Sequence, residues 1–258
     1  MVEEKLTFGE HLEVLRKMLF RILGLTACVA IAIFCFKKQI FSLLLAPSRS
    51  DFVLYRWVEE ACNAMALGFR FDEYQVNLIA TELSSQFMTH LTTSFYLALL
   101  FVSPYIVVEL FRFISPALYE HERKYSTRVA VAVYTLFIIG VLVSYFLIFP
   151  ISFRFLGTYQ VADVVVNNIT LKSYISTFTT LTFMMGVVFQ LPILTFFLAK
   201  MGIVDAEMMS NYRRHAFMLI LIISAIITPP DIFTLILVSG PLYLLYEFSI
   251  QIVKRTMV

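Results

Sequence analysis

The sequence predicts an all-α integral membrane protein with six transmembrane helices. Three observations lead to this prediction. Of the 258 residues, 60% are hydrophobic and only 15% are charged, whereas soluble domains hold about 45–50% apolar and about 25% charged residues. The apolar residues are also gathered in long runs, and a helix needs about 20 of them to cross a hydrocarbon core of ~30 Å. We therefore expect residues 1–258 to form a single integral-membrane domain.

Four runs are long enough to span a bilayer, at about residues 18–36, 87–111, 129–150 and 174–199. The first is expected to be an uncleaved anchor, because acids stand where a signal peptide has its basic residues. Two further runs are short: residues 216–227, and residues 232–250, which are largely apolar only as far as Tyr246. Pro229 and Pro230 separate them and cannot continue a helix. We expect a hairpin of two short helices as the fifth and sixth spans.

The distribution of lysine and arginine predicts the orientation. Thirteen of these residues flank the spans on the side of the two termini, and seven lie on the other side. Five of the seven are in or beside a long connecting segment, to which the positive-inside rule gives less weight. Both termini are therefore expected to be cytoplasmic. The outer segments, residues 38–86 and 161–174, are too polar for spans and are expected to hold short helices, a hairpin or structured loops.

Several function classes are disfavoured by composition. The net charge is only +2, so no broad basic surface for a nucleic acid is expected. The chain has no Gly-rich phosphate loop, no nucleophile constellation and no metal-ligand spacing among its cysteines and histidines. We predict neither an enzyme nor a cofactor or metal site.

The start of the first helix, "FGEHLEVLRKMLFR", combines an apolar stripe with charged positions, as in an interfacial helix that runs into a span. A second charged cluster follows the second span in "ISPALYEHERKYS", where Pro116 ends one helix and Glu120 to Lys124 begin the next. Acids in a first helical turn complement the helix dipole, so capping is one interpretation of Glu120 and Glu122. The other is a binding site, since carboxylates at a membrane interface bind guanidinium groups strongly.

Polar residues inside the spans are functional candidates, because they are costly in a bilayer. Gln190 lies deep in the fourth span, and a neutral amide there suits a hydrogen bond to another helix. Glu109 and Glu247 lie near the cytoplasmic boundary. A rival prediction is a proton-coupled secondary transporter that uses these two acids, although such transporters favour internal repeats and none is found here.

Six motifs together resemble the TatC family, the multi-spanning receptor subunit of the twin-arginine protein translocase. They are "EHLEVLRK" (10–17), "LLLAP" (43–47), "FRFISPALYEHER" (111–123), "FQLPIL" (189–194), "KMGIV" (200–204) and "ITPPDIF" (227–233). The resemblance implies six helices in a cupped arrangement in the bacterial cytoplasmic (inner) membrane, with the last two helices short and both termini in the cytoplasm.

The resemblance also implies a function. Members of the family bind signal peptides with consecutive arginines and export folded proteins, using the proton gradient and TatA-type and TatB-type single-span subunits in a larger, self-associating complex. Carried onto this chain, Glu122 would accept the signal's arginines. The surrounding signal-peptide site would include Phe113, Pro116, His121, Arg123, Leu15 and Arg16. Pro47 and Asp231 match positions in the outer loops, and Gln190 matches a partner-docking position.

The chain departs from the family at two places. Val14 stands where the family's amino-terminal motif has Glu, and Met18 where it has Arg. We expect Glu10 or Glu13 to replace the missing carboxylate, and we favour Glu10 because it lies one helical turn from Val14. Gln190 stands where the family often has a buried Glu, and an amide cannot carry a proton.

Overall fold

The computed structural model describes residues 8–64, 76–114, 126–162 and 167–256. These residues are almost entirely helical. In chain order the helices are α1 (Phe8–Cys35), α2 (Lys37–Leu44), α3 (Val53–Ala64), α4 (Ser85–Ile114), α5 (Ser126–Val143), α6 (Phe149–Thr158), α7 (Leu171–Val188), α8 (Leu191–Lys200), α9 (Ala206–Asn211), α10 (Arg213–Ile227) and α11 (Ile232–Thr256). A 3₁₀ turn covers Ala46–Ser48, a π-helix covers Ser144–Ile148, and two short strands are β1 (Leu78–Ile79) and β2 (Ile169–Thr170).

Within the described residues, five helical stretches are long and apolar enough to cross a membrane. They are Leu12–Cys35, Ser85–Glu109, Val129–Thr158, Leu171–Lys200 and Ile232–Arg255. The four full-length spans predicted from the sequence correspond to the first four stretches. The chain is therefore a multi-pass membrane protein.

The last two helices differ in length. α10 has 15 residues, about 22 Å at 1.5 Å per residue, and is short as predicted. The prediction of a short last helix is wrong, because α11 has 25 residues and continues beyond residue 250. Its C-terminal part continues because Ile250 and Val253 are buried in a cluster with Ala199 and Met209.

The contacts divide the chain into two compact units. The prediction of a single domain stays a prediction. Unit 1 comprises residues 1–37 and 90–135. Within unit 1, which includes α4 from His90 onward, Phe34 of α1 stacks on the His90 ring, with ring centroids 4.0 Å apart. Two α4 residues, Ala98 and Val102, are fully or almost fully buried.

Unit 2 comprises residues 38–89 and 136–258. Its core holds an aromatic group in which Phe149 lies edge-on to Tyr174 and Phe178, with centroids 5.1 and 5.0 Å apart. α5 and α7 approach each other closely at two glycines. A Cβ on Gly140 would lie 2.6 Å from the carbonyl oxygen of Met185, and a Cβ on Gly186 would lie 2.6 Å from the Phe137 ring.

Local signals explain several helix ends in unit 2. The Thr170 hydroxyl accepts a hydrogen bond from the Ser173 amide and begins α7, and the Asp205 carboxylate does the same for Met208 in α9. Such side chains satisfy amides that a helix leaves unpaired at its start. Gly202 follows α8 with φ of 71°, a left-handed conformation that glycine adopts without strain.

The segment of residues 38–86, predicted to be an outer one, holds the short helices α2 and α3, in agreement with one of the predicted alternatives. The strand pair was not predicted. Leu78 pairs with Ile169 and Ile79 with Thr170 in parallel register. This pairing joins two stretches about ninety residues apart in the sequence.

Candidate functional site

The first turns of α1 expose charged side chains, as expected for an interfacial helix. Glu13 and Lys17 form an ion pair of 2.8 Å between positions i and i+4, and each side chain is more than half exposed. Arg16 and Val14 are also exposed, and Leu15 is half-buried. An exposed pair of this kind contributes little to stability, so Glu13 is held near Lys17 but remains accessible.

Farther along α1, one face packs inward within unit 1. Met18 is buried, and Arg21 places Nη1 3.8 Å from Oε1 of Glu109 on α4. The Arg21 side chain is 62% exposed and that of Glu109 is 6% exposed. A buried carboxylate requires a partner, and Arg21 supplies a positive charge to it.

The side chains of the remaining residues of the predicted recognition surface are not among those that the structure describes. Pro116, His121, Glu122 and Arg123 fall in the gap between residues 114 and 126. Two further site residues, Glu10 in α1 and Phe113 in α4, belong to helices whose backbone is described there but whose side chains are not. The predicted roles of these six residues stay predictions.

Gln190 lies where the predicted fourth span breaks into α7 and α8. Its amide nitrogen donates to the carbonyl oxygen of Gly186 at 3.3 Å. Its side-chain oxygen is buried and has no hydrogen-bond partner among the residues that the structure describes. The next helix begins with Leu191 and Pro192, and proline fits this position because its missing amide hydrogen is not needed there. Gln190 therefore carries a free acceptor inside an apolar region.

Pro47 is buried in the 3₁₀ turn that follows α2. The preceding carbonyl groups are held by tyrosines: Tyr145 donates to the oxygen of Leu43, and Tyr174 to that of Leu44, each at 2.8 Å. The last carbonyl groups of a helix lack partners within the helix. These hydroxyls supply partners and fix the chain next to Pro47.

Asp231 caps α11 in the turn "TPPD". Its Oδ1 accepts a hydrogen bond from the Thr234 amide at 2.6 Å. Its other oxygen, Oδ2, is buried without a hydrogen-bond partner among the described residues. The structure thus gives Asp231 a local structural role as a helix cap.

Glu247, one of the acids of the rival transporter prediction, is part of a cluster that joins α10 to α11. Arg213 donates to its two oxygens at 2.7 and 3.0 Å, and Tyr243 donates to Oε1 at 3.2 Å. Sequence reasoning missed Arg213. The sequence did contain a signal for this pair, because Arg213 and Glu247 lie at similar distances before and after the "TPPD" turn, and such residues face each other in a helical hairpin.

Both acids of the transporter prediction are therefore paired with arginines within their own units. No group of three or more His, Cys, Asp and Glu side chains that could hold a metal ion occurs in the described parts of the chain.

Comparison with known proteins gives consistent matches. The family model described as "Sec-independent protein translocase protein (TatC)" matches residues 10–241. The chain is 34% identical over 254 residues to the Sec-independent protein translocase protein TatC of Blattabacterium sp. subsp. Periplaneta americana. This alignment covers 97% of this chain and 96% of that protein. It is 33% identical over 244 residues to the Sec-independent protein translocase protein TatC of Helicobacter pylori strain 26695, and this alignment covers 95% of this chain and 86% of that protein.

A solved structure also matches. The crystal structure of the twin arginine translocase receptor TatC superposes with a TM-score of 0.73 and 27% identity, over 96% of this chain and 100% of that one. A second crystal structure of this receptor, in the detergent DDM, gives a TM-score of 0.73 and 28% identity, over 95% of this chain and 99% of that one.

Proposed function

We propose that this chain, which belongs to the TatC family of Sec-independent protein translocase proteins, receives folded precursor proteins by binding the twin arginines of their signal peptides. The family consists of translocase components and not of enzymes. The observation that carries the proposal is the extent of the family match, because residues 10–241 include both parts of the predicted recognition surface. The transporter alternative has no comparable support.

The proposed arrangement has six spans in the bacterial cytoplasmic membrane, in a cupped arrangement with both termini in the cytoplasm. α10 would be the fifth span. Its length of about 22 Å is less than the ~30 Å of a typical hydrocarbon core. A short span requires local thinning of the bilayer or shelter by longer neighbours. Thinning at this place would lower the cost of moving a folded protein through the membrane.

Glu122 is the proposed acceptor of the signal's arginines, with Phe113, Pro116, His121 and Arg123 around it. Leu15 and Arg16 on α1 form the other part of the surface. A guanidinium group is planar and can donate two parallel hydrogen bonds to a carboxylate, whereas an ammonium group cannot. Replacing both signal arginines by lysines therefore weakens binding although the charge is retained.

Of the two acids near Val14, Glu10 remains the favoured replacement for the family's carboxylate. Glu10 lies one helical turn before Val14 and so on the same face of α1, whereas Glu13, which is paired with Lys17, is rotated from Val14 by about 100°. Signal-peptide binding measured with Glu10→Gln and Glu13→Gln separately tests it. We expect weaker binding only for Glu10→Gln, and unchanged binding for that variant would refute the assignment.

Gln190 is the proposed docking position for a TatA-type or TatB-type single-span subunit. Its unpartnered buried oxygen supports this role, because a polar residue of a partner helix would satisfy it. The amide does not titrate, so the proposed docking needs no proton at this position.

The central experiment places a photo-crosslinking residue at His121 in native-like membranes that contain the whole translocase. A precursor with Arg-Arg is compared with the same precursor carrying Lys-Lys. We expect a crosslink with Arg-Arg that fades with Lys-Lys, and loss of this preference in Glu122→Gln.

Absence of a crosslink with both precursors, in membranes that demonstrably export the Arg-Arg form, would refute binding at this site. Retention of full binding by Glu122→Gln would refute the assigned acceptor. Solute uptake by the purified protein without a precursor would instead support the transporter alternative.

A further inference from the structure

We propose that α3 lies in the interfacial layer of the lipid bilayer, with Val53 and Trp57 inserted among phospholipid chains and Arg56 close to the phosphate groups. The interface is the one at the Thr158 end of the third membrane-spanning stretch, which is the outer one in the proposed orientation. The inference goes beyond signal-peptide recognition and does not depend on it. It concerns α3, the π-helix and α6, which all belong to unit 2.

The first supporting observation is the distribution of residue types around α3. The helix has 12 residues, and successive residues are rotated by about 100°. All its polar residues therefore fall in one arc of about 100°, and apolar residues occupy the other positions. The polar residues are Arg56, Glu59, Glu60 and Asn63. A wide apolar arc opposite a charged one is typical of a helix that lies in the plane of a membrane interface.

The second observation is that the protein covers only part of the apolar arc. Tyr55 is 2% exposed, and its hydroxyl donates to the carbonyl oxygen of Pro150 at 2.7 Å. On the neighbouring part of the arc, Val53 is 42% and Trp57 is 65% exposed. Removing such large apolar surfaces from water is favourable, and lipid can cover them in a membrane protein. The exposed part of the arc continues the part that is packed.

The third observation is the depth at which α3 is held. The third membrane-spanning stretch has 30 residues, whereas about 20 suffice to cross the hydrocarbon core. About five residues therefore project from the core at each end. Pro150 lies eight residues before the end at Thr158. The hydrogen bond from Tyr55 thus attaches α3 within about 5 Å of the hydrocarbon boundary.

The fourth observation is the chemistry of the exposed side chains. Tryptophan is enriched at membrane interfaces, because its ring is apolar and its N–H group is polar. Arg56 and Glu60 are exposed on the polar arc. A long arginine side chain can follow the apolar surface and still reach a phosphate group. Phosphatidylethanolamine complements both charges, since it offers a phosphate to Arg56 and an ammonium group to Glu60.

Tryptophan fluorescence of the unmodified protein tests the inference, because Trp57 is the only tryptophan in the sequence. The protein is reconstituted into vesicles of phosphatidylethanolamine and phosphatidylglycerol. Part of the lipid carries bromine, which quenches tryptophan, either near the headgroup end or near the terminal end of the acyl chain. We expect bromine near the headgroup end to quench at least about twofold more than bromine near the terminal end. Iodide, present on both sides of the membrane, should quench weakly.

Two relocated tryptophans, each in a Trp57→Phe background, test the rotation of α3. Val53→Trp lies on the exposed part of the apolar arc and should be quenched by brominated lipid as Trp57 is. Asn63→Trp is the matched control, because Asn63 is exposed on the polar arc of the same helix. It should be quenched by iodide, and at least about threefold less than Val53→Trp by brominated lipid.

The other outcomes would overturn the inference. Strong iodide quenching of Trp57 with little quenching by brominated lipid would place the side chain in water. Weak quenching by both would show that protein, such as a second copy of this chain, covers it. Stronger quenching by bromine at the terminal end would place the ring in the hydrocarbon core. Equal lipid quenching of Val53→Trp and Asn63→Trp would refute the proposed rotation of the helix.

Discussion

Arg213 and Glu247 join the first turn of α10 to α11 through two parallel hydrogen bonds of 2.7 and 3.0 Å. Arginine is unfavourable at the N-terminus of a helix, where the helix dipole is positive. The carboxylate of Glu247 offsets this effect. Arg213 is the first of the 15 residues of α10, and Glu247 is the sixteenth residue of α11. The pair therefore joins the two helices at nearly equal distances from the turn between them.

Breaking this pair should loosen the beginning of α10. We expect backbone amides in its first two turns to exchange hydrogen about tenfold faster in Arg213→Ala, and less than that in Arg213→Lys, which keeps the charge but loses the second hydrogen bond. The reversed pair, Arg213→Glu with Glu247→Arg, should restore most of the protection. Hydrogen–deuterium exchange by mass spectrometry measures all three variants.

Arg214→Lys is the control for this prediction, because Arg214 is the exposed neighbour and makes no comparable contact among the described residues. Equal exchange rates in Arg213→Lys and Arg214→Lys would contradict the role given to the pair.

Gly140→Ala should destabilise unit 2. The new Cβ would lie 2.6 Å from the carbonyl oxygen of Met185 and 2.9 Å from Cβ of Phe189, and the backbone atom can yield only if α5 and α7 separate. We expect a loss of about 1–3 kcal/mol, as for other overpacked sites. Gly186→Ala should cost less, because the Phe137 ring that it meets can turn.

Thermal unfolding in detergent measures these changes. Gly240→Ala is the matched control, since a Cβ at this helical position has no atom within 4 Å. It should be neutral or stabilise by about 0.5–1 kcal/mol, because alanine is the better helix former. Equal melting temperatures for Gly140→Ala and Gly240→Ala would show that the helices are not in tight contact.

Gln190→Leu should affect stability and assembly in opposite directions. The substitution removes a buried carbonyl oxygen that has no hydrogen-bond partner in the described parts, which should lower the free energy of the folded state by about 1–3 kcal/mol. It also removes the hydrogen bond to Gly186, which should cost about 1 kcal/mol. The isolated protein should therefore melt no lower. Site-specific crosslinking to the single-span partners should fall, since the polar contact is gone.

Thr195→Val serves as the control for Gln190, because the Thr195 hydroxyl is satisfied within its own helix by Leu191 and Pro192. It should leave partner crosslinking intact. Full crosslinking in Gln190→Leu would place the docking contact elsewhere.

Asp231→Ala should weaken the start of α11 by about 1 kcal/mol, the usual cost of removing a helix cap. Asp231→Asn retains the acceptor and should preserve the melting temperature. Export measured in the same variants separates two roles. If Asn supports full export, capping is the whole role of Asp231; if stability is normal and export is lost, the negative charge itself is needed in this turn.

The sequence predicted the long helices well, because each combines high hydropathy with enough length. It could not predict the pairing of Leu78 with Ile169, since two-residue strands carry no periodicity and their partners are far apart in the chain. The extra length of α11 was missed because Glu247 and the polar residues after it resemble the end of an apolar run. In the structure Arg213 neutralises Glu247, and the helix continues.

The candidate site also contains residues that could be predicted from the sequence and residues that could not. Motif resemblance located Gln190 and Asp231, and the structure added what their atoms contact. Arg21 and Glu109 could not be paired from sequence, because an ion pair between two helices depends on their rotation and register. Hydropathy specifies neither of these.

The π-helix at Ser144–Ile148 has an evolutionary consequence. A π-helical turn holds an inserted residue relative to an α-helix. Deleting one residue there would restore a regular α-helix and leave the later side chains near their present rotation, so Phe149 and Phe153 would stay against Tyr174. A deletion in a regular α-helical stretch would instead rotate every later side chain by about 100°. This stretch should therefore accept the loss of one residue more readily than the helical stretches on either side of it, and relatives should include sequences that are one residue shorter here.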